Sequence, residues 1–215
     1  MALMEFDKLN TLGLVEIPEE RMRSEPYETY FGDMYLTEMQ IEDRIAIARL
    51  LEEPLRNWLL LIMLGLASGL TIYEEARQEL LENLIALSIA DVEYLEMLAD
   101  DITDSTRRHE NDDWYWSEDR VLFISENEAN TIMNGTEFQE ARNRGMRRKQ
   151  WIGVGDFRER ETHLELNDLI IQIDEYFQIG EAQGLYPKDV ISPCTTLPEH
   201  PEELVGCRCC IVYLP

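Results

Sequence analysis

The chain changes texture partway along, and that change sets what it can fold into. From Thr37 to Arg108 apolar residues recur three and four positions apart with charges between them, as in Met39, Ile41, Ile45, Ile47, Ala48, Leu50 and Leu51. That is the pattern of helices that bury one face. Beyond Trp151 the pattern stops, and Gly and Pro cut the chain into short apolar pieces such as LIIQIDEYF and GLYPKDVISP, which read as short strands and loops. The expected fold class is α+β, an N-terminal helical region followed by a small C-terminal α+β domain with short strands. Residues 1–35, with Pro18, Pro26 and Gly32 and no sustained period, read as an extended N-terminal arm. Residues 36–115 form the helical region and 116–215 the C-terminal domain.

Local signals refine the helices. Thr37 with Gln40 three positions on makes a capping box, and Glu53-Pro54 breaks the first helix. The apolar run from Trp58 to Tyr73 contains Gly65, Ser68 and Gly69. It is shorter than the roughly 20 residues a bilayer span needs, so it reads as a buried helix ending near Gly69, and no membrane partner is expected. Thr71 with Glu74 and Glu75 caps a third helix, and Asp91 caps a fourth. HENDDWYWSED interrupts, either as an exposed turn with an aromatic anchor or as a hairpin whose rings fold back on the core, the second being preferred. VLFI then forms a short apolar segment, and Ser125 caps the helix that follows.

A formal charge of -25, from 44 acidic against 19 basic residues, repels polyanions along most of the molecule. One basic cluster departs from this: Arg142, Arg144, Arg147, Arg148 and Lys149. Of these, Arg144, Arg147, Arg148 and Lys149 are candidate phosphate contacts; the competing reading is a helix end whose cations complement the dipole. MALMEFDKLN lacks the basic and apolar regions of a signal peptide, and four cysteines are too few and too clustered for a secreted disulfide framework. A reducing, cytoplasmic setting fits.

The second half carries an ordered set of residues: Lys149 and Trp151; Asp156, Arg158, Arg160 and His163 in GDFRERETH; Asp174, Glu175 and Phe177; Tyr186, Pro187 and Asp189; and Cys207-Arg208-Cys209. In this order they resemble the phage Mu F-like head morphogenesis domain, over about residues 120–212. The resemblance implies a minor head protein of a tailed phage or prophage, associated with the portal vertex and acting in head morphogenesis and in DNA packaging and delivery. It implies the portal and other head proteins as partners; packaged DNA is a candidate partner through the local basic cluster, which would suit a protein of this kind. It also implies residence in the virion head, and in the host cytoplasm during assembly. Some relatives carry a fused toxin or enzyme; none is expected here. The N-terminal helices are the expected contact with the portal or another head protein.

The same residues admit specific chemistry. Thiolates and imidazole are good zinc ligands, so His163, Cys207 and Cys209, with Cys194, Cys210 or Asp156 as a fourth ligand, form a candidate zinc site that staples a small domain. Two alternatives stand beside it: Cys207 and Cys209 as inward-facing core residues of a strand with Cys210 outward, or a disulfide such as Cys194 to Cys207. Asp156 and His163 also suit a metal-dependent hydrolase or nuclease-like enzyme. No nucleophile sits in a recognised arrangement, so a structural, non-enzymatic role is preferred.

Overall fold

The structure, a computed structural model, describes residues 26–215. The expected arm therefore lies outside the described residues up to residue 25. Its described end is not extended. Tyr27–Gly32 forms a short helix, α1, whose Tyr27, Tyr30 and Phe31 pack with Met34, Ala48 and Ala129. One short turn rich in rings buries a face without needing a long period.

Helix α2 spans Glu38–Ala67, and Thr37 makes the expected capping box with Gln40. The expected break at Pro54 does not occur. An interior proline costs about 3 kcal/mol. Leu51, Leu55, Trp58, Leu59 and Ile62, on both sides of it, enter a single core, and each buried side chain contributes about 1.5–3 kcal/mol. Packing therefore carries the helix through. Gly69, at φ +72°, turns the chain after Ser68, and α3 (Tyr73–Leu87) follows with Ile72 rather than Thr71 at its N-cap. Helix α4 (Val92–Arg108) begins after Asp91, which occupies the cap position without a side-chain bond.

The aromatic stretch forms a tight 3-10 turn, Asp113–Trp116, with Tyr115 buried. Its rings do fold back: Trp114 meets Phe123 edge-on, and Arg120 lies over Tyr115. Helix α5 spans Glu118–Asn143 and packs along α2. Its cap is Ser117, whose hydroxyl accepts the Arg120 N–H at 3.2 Å. Ser125 is instead buried within the helix, and VLFI belongs to its first turns. A short apolar run cannot by itself distinguish strand from buried helix.

After α5, β1 (Arg148–Ile152) forms the centre of an antiparallel sheet in the order β2-β1-β5, with β2 at Ile170–Gln172 and β5 at Cys210–Leu214. Arg148 stands opposite Gln172 on one side and Leu214 on the other, so the end of the chain returns to the first strand. A short helix, α6 (Glu161–Leu164), a hairpin of β3 (Phe177–Ile179) and β4 (Ala182–Gly184), and α7 (Pro201–Leu204) complete the region. The fold is α+β, as the sequence predicts.

Two main cores result, and α5 feeds both. Val121, Ile124 and Ile132 join α2, α3 and α4. Further along, Phe138 and Ala141 join Trp151, Phe177, Leu204, Cys207, Cys209 and Ile211. Among the described residues no helix is long and apolar enough to cross a membrane.

Candidate functional site

One face of α5 is polar where a buried helix is expected to be apolar. Asn127, Asn130 and Asn134 are buried, and their spacing, continued by Glu137, places them along one stripe. Asn127 Oδ1 accepts from the Gly206 N–H at 2.9 Å and from Lys188 Nζ. Asn130 donates to the Cys207 carbonyl at 3.0 Å, and Asn134 donates to the Pro187 carbonyl at 3.1 Å. From the other side Arg44 of α2, fully buried, donates to Asn130 and Asn134 at 3.0 Å each and pairs with Glu137 at 2.6 Å. The stripe holds the cysteine-rich backbone against the helical region.

Lys149 and Trp151 alternate inward along β1. Trp151 meets His163 and Phe177 edge-on, at centroid distances of 5.5 and 5.2 Å. Lys149 lies between Phe138 and Phe177, and its Nζ donates to the Ile173 carbonyl at 2.7 Å. Burial lowers its pKa to about 8. This corrects its assignment as a phosphate contact, since a fully buried ammonium is not part of a surface patch. Arg144, Arg147 and Arg148 are not buried in this way; Arg144 reaches Glu140 at 3.6 Å, while Arg142 pairs with Asp174 at 3.3 Å.

Asp156 is a crosslink. It accepts from the Arg158 backbone N–H at 2.9 Å, from Arg158 Nε at 3.1 Å and from Arg208, while Asp33 approaches both arginines from the N-terminal side. Burial raises the carboxyl's pKa, but the Arg208 guanidinium and the other donors outweigh it and hold the group below its usual value. Arg160 donates to the Val205 carbonyl. Asp189, fully buried, accepts from the backbone N–H groups of Leu185 and Ser192 at 2.8 and 3.0 Å, fixing the turn that contains Pro187.

The structure brings His163, Cys207 and Cys209 together, their ligand atoms within 4.8 Å of one another and all three residues buried. Nδ1 of His163 lies 3.3 Å from Cys209 Sγ and 3.6 Å from Cys207 Sγ. On the far side of the ring, Nε2 lies 2.9 Å from Glu203 Oε2, bent away from a good hydrogen-bond angle. Thr162 donates to the same carboxylate oxygen at 2.8 Å. Donation from the Cys209 thiol holds Cys207 well below the usual thiol range, and Cys209 is raised correspondingly. Burial pulls His163 down, yet the charge and proximity of Cys207, with the Glu203 carboxylate as a polar partner, push it up to about 9.

None of the three expected fourth ligands joins this group. Asp156 is engaged by arginines, the Cys210 thiol donates to the Tyr35 carbonyl at 3.2 Å, and Cys194 is exposed. All four cysteines are free, so the Cys194–Cys207 disulfide is not formed. Cys207 and Cys209 do enter the core, but from the loop before β5 rather than from a strand, and Cys210, which opens β5, is buried instead of facing outward.

Sequence reasoning missed Arg44, the three asparagines, Lys188 and Glu203. The asparagines had a signal, since three carboxamides on one stripe of an otherwise amphipathic helix need partners. Lys188 had none; it is buried with φ +62°, and burial lowers its pKa to about 8. It lines a cavity of about 440 Å³ together with Tyr94, Thr131 and Val190.

Compared with known proteins, residues 79–212 match the family described as Phage Mu protein F like protein. The match takes in part of α3, all of α4 and α5, and the motif-bearing segment. No curated protein and no solved structure matches the chain.

Proposed function

Because the chain belongs to the family of Phage Mu protein F like proteins, and is thereby a phage head-related protein, we propose that it is a minor head protein that docks at the portal vertex through its helical region. The observation that carries the docking is an uncovered apolar edge at the end of α2. Leu60, Met63 and Leu64 fall on one helical face, and Leu66 and Leu70 are also exposed near the same end of the helix. Isolated exposed leucines are ordinary, whereas three large apolar side chains on one face suit a protein partner. The C-terminal region supports this as a rigid base, crosslinked to α2 through Arg44 and α5.

Its work in this reading is assembly rather than turnover. The enzyme alternative requires His163 and Asp156 to meet a substrate. His163 is 2 % exposed and Asp156 is occupied by two arginines, which supports a structural use of both. Exposed Arg147 and Arg148, with Arg144, are the proposed local contact with packaged DNA.

Co-expression with the portal protein of the same phage tests the docking. Tagged full-length chain should retain the portal, and the pair Leu60→Glu and Leu64→Glu should release it. Equal retention by the wild type and the pair would reject α2 as the docking surface.

A further inference from the structure

We propose that His163 Nδ1, Cys207 Sγ and Cys209 Sγ bind one zinc ion, with Glu203 orienting the histidine from behind and a water as the fourth ligand. A tetrahedral zinc with bonds of about 2.3 Å to sulfur and 2.0–2.1 Å to nitrogen has nitrogen–sulfur edges of about 3.5 Å. The two such edges here are 3.3 and 3.6 Å. Two thiolates and a neutral imidazole carry the charge that a divalent ion cancels, in a site where all three residues are buried and an unpaired charge is costly. Mixed sulfur and nitrogen donors favour zinc over the harder cations.

The surroundings fit the same ion. A ligating histidine usually gives its other ring nitrogen to a carboxylate, which fixes the ring. Glu203 is placed for that role, its Oε2 2.9 Å from Nε2 although off the hydrogen-bond line, and it is itself held by Thr162. Beside the three ligands lies a cavity of about 10 Å³, lined also by Asp156, Arg158, Glu159 and Arg160, close to the space of a single water. Glu159 has its Oε1 buried without a hydrogen-bond partner among the described residues, an acceptor for that water. This arrangement replaces Cys194, Cys210 and Asp156, the fourth ligands expected from sequence. It ties α6 to the tail across a separation of 44 to 46 residues, closing a loop-rich region with a small core of its own.

Full-length protein purified without chelator should carry about one equivalent of zinc by elemental analysis. Replacement by Co²⁺ should give thiolate-to-cobalt charge-transfer bands together with the intense visible bands of a four-coordinate centre. Cys194→Ser should leave the stoichiometry unchanged, and Glu203→Gln should weaken the metal about 10- to 100-fold in a chelator competition. Cys209→Ser should lose the cobalt bands. If that variant fails to fold, the wild-type metal content and cobalt spectrum still decide. A folded wild-type chain that takes up neither metal after incubation with each in excess would overturn the proposal, leaving a hydrogen-bonded histidine–cysteine group.

Discussion

The carboxamide of Asn130 donates to the carbonyl of Cys207 at 3.0 Å, tying the central helix directly to the cysteine-rich tail. Its oxygen simultaneously accepts from Arg44, so one side chain spans from α2 to the end of the chain. Buried polar groups this close to both cores are costly when left unpaired.

Asn130→Leu removes both bonds and strands a guanidinium nitrogen and a carbonyl. A loss of about 1–3 kcal/mol per stranded group is expected, read by urea denaturation with an unchanged m-value. Glu137→Ala, which strips the buried Arg44 of its carboxylate, should cost about 3–5 kcal/mol.

Trp151 is fully buried between His163 and Phe177. Trp151→Ala should destabilise by about 3–5 kcal/mol through the lost contacts and the cavity left behind. Trp151→Phe should cost less, since a ring still meets Phe177. Equal midpoints for both variants in thermal denaturation would show that the indole is not a packing centre.

Lys188 gives a pH signature. Its pKa is ordinarily about 10.5 and falls to about 8 in the folded chain, through burial. Between those values the unfolded chain holds a proton that the folded one has released, so this contribution to stability grows as pH rises from about 8 to about 10.5 and is lost below about 8. Compared with Lys188→Met, the wild type should gain on the order of 3 kcal/mol across that window. Taking the difference between the two proteins cancels the tyrosine titrations they share.

Arg147 and Arg148 lie outside both cores. The pair Arg147→Glu and Arg148→Glu should leave stability within about 0.5 kcal/mol. It should also abolish retention of DNA fragments at low salt, with the wild-type salt slope set at about 0.9 per phosphate neutralised. DNA retention unchanged by the pair would remove this patch from the interface.

What can be read from the sequence follows the range of the interactions. Capping at Thr37 and the turn at Gly69 depend on residues a few positions apart, and they form as read. Pro54 and Ser125 mislead because distant packing overrides a local signal: a core shared by α2 to α5 carries one helix through its proline and starts another before its serine. The site divides in the same way. His163, Cys207 and Cys209 are legible as ligand types, and the structure brings them together. Their neighbour Glu203 lies in a four-residue helix with no periodic signature, and Lys149 reads as part of a basic run although β1 turns it inward.

Quantifying this chain by mass spectrometry in heads purified from the phage that encodes it tests the head role most directly. The wild type should be present in every preparation of heads at low copy relative to the major capsid protein, and the Leu60→Glu and Leu64→Glu pair should be depleted from heads while remaining folded in the lysate. Heads that lack the wild-type chain while it accumulates folded in the lysate would contradict the proposed role as a minor head protein.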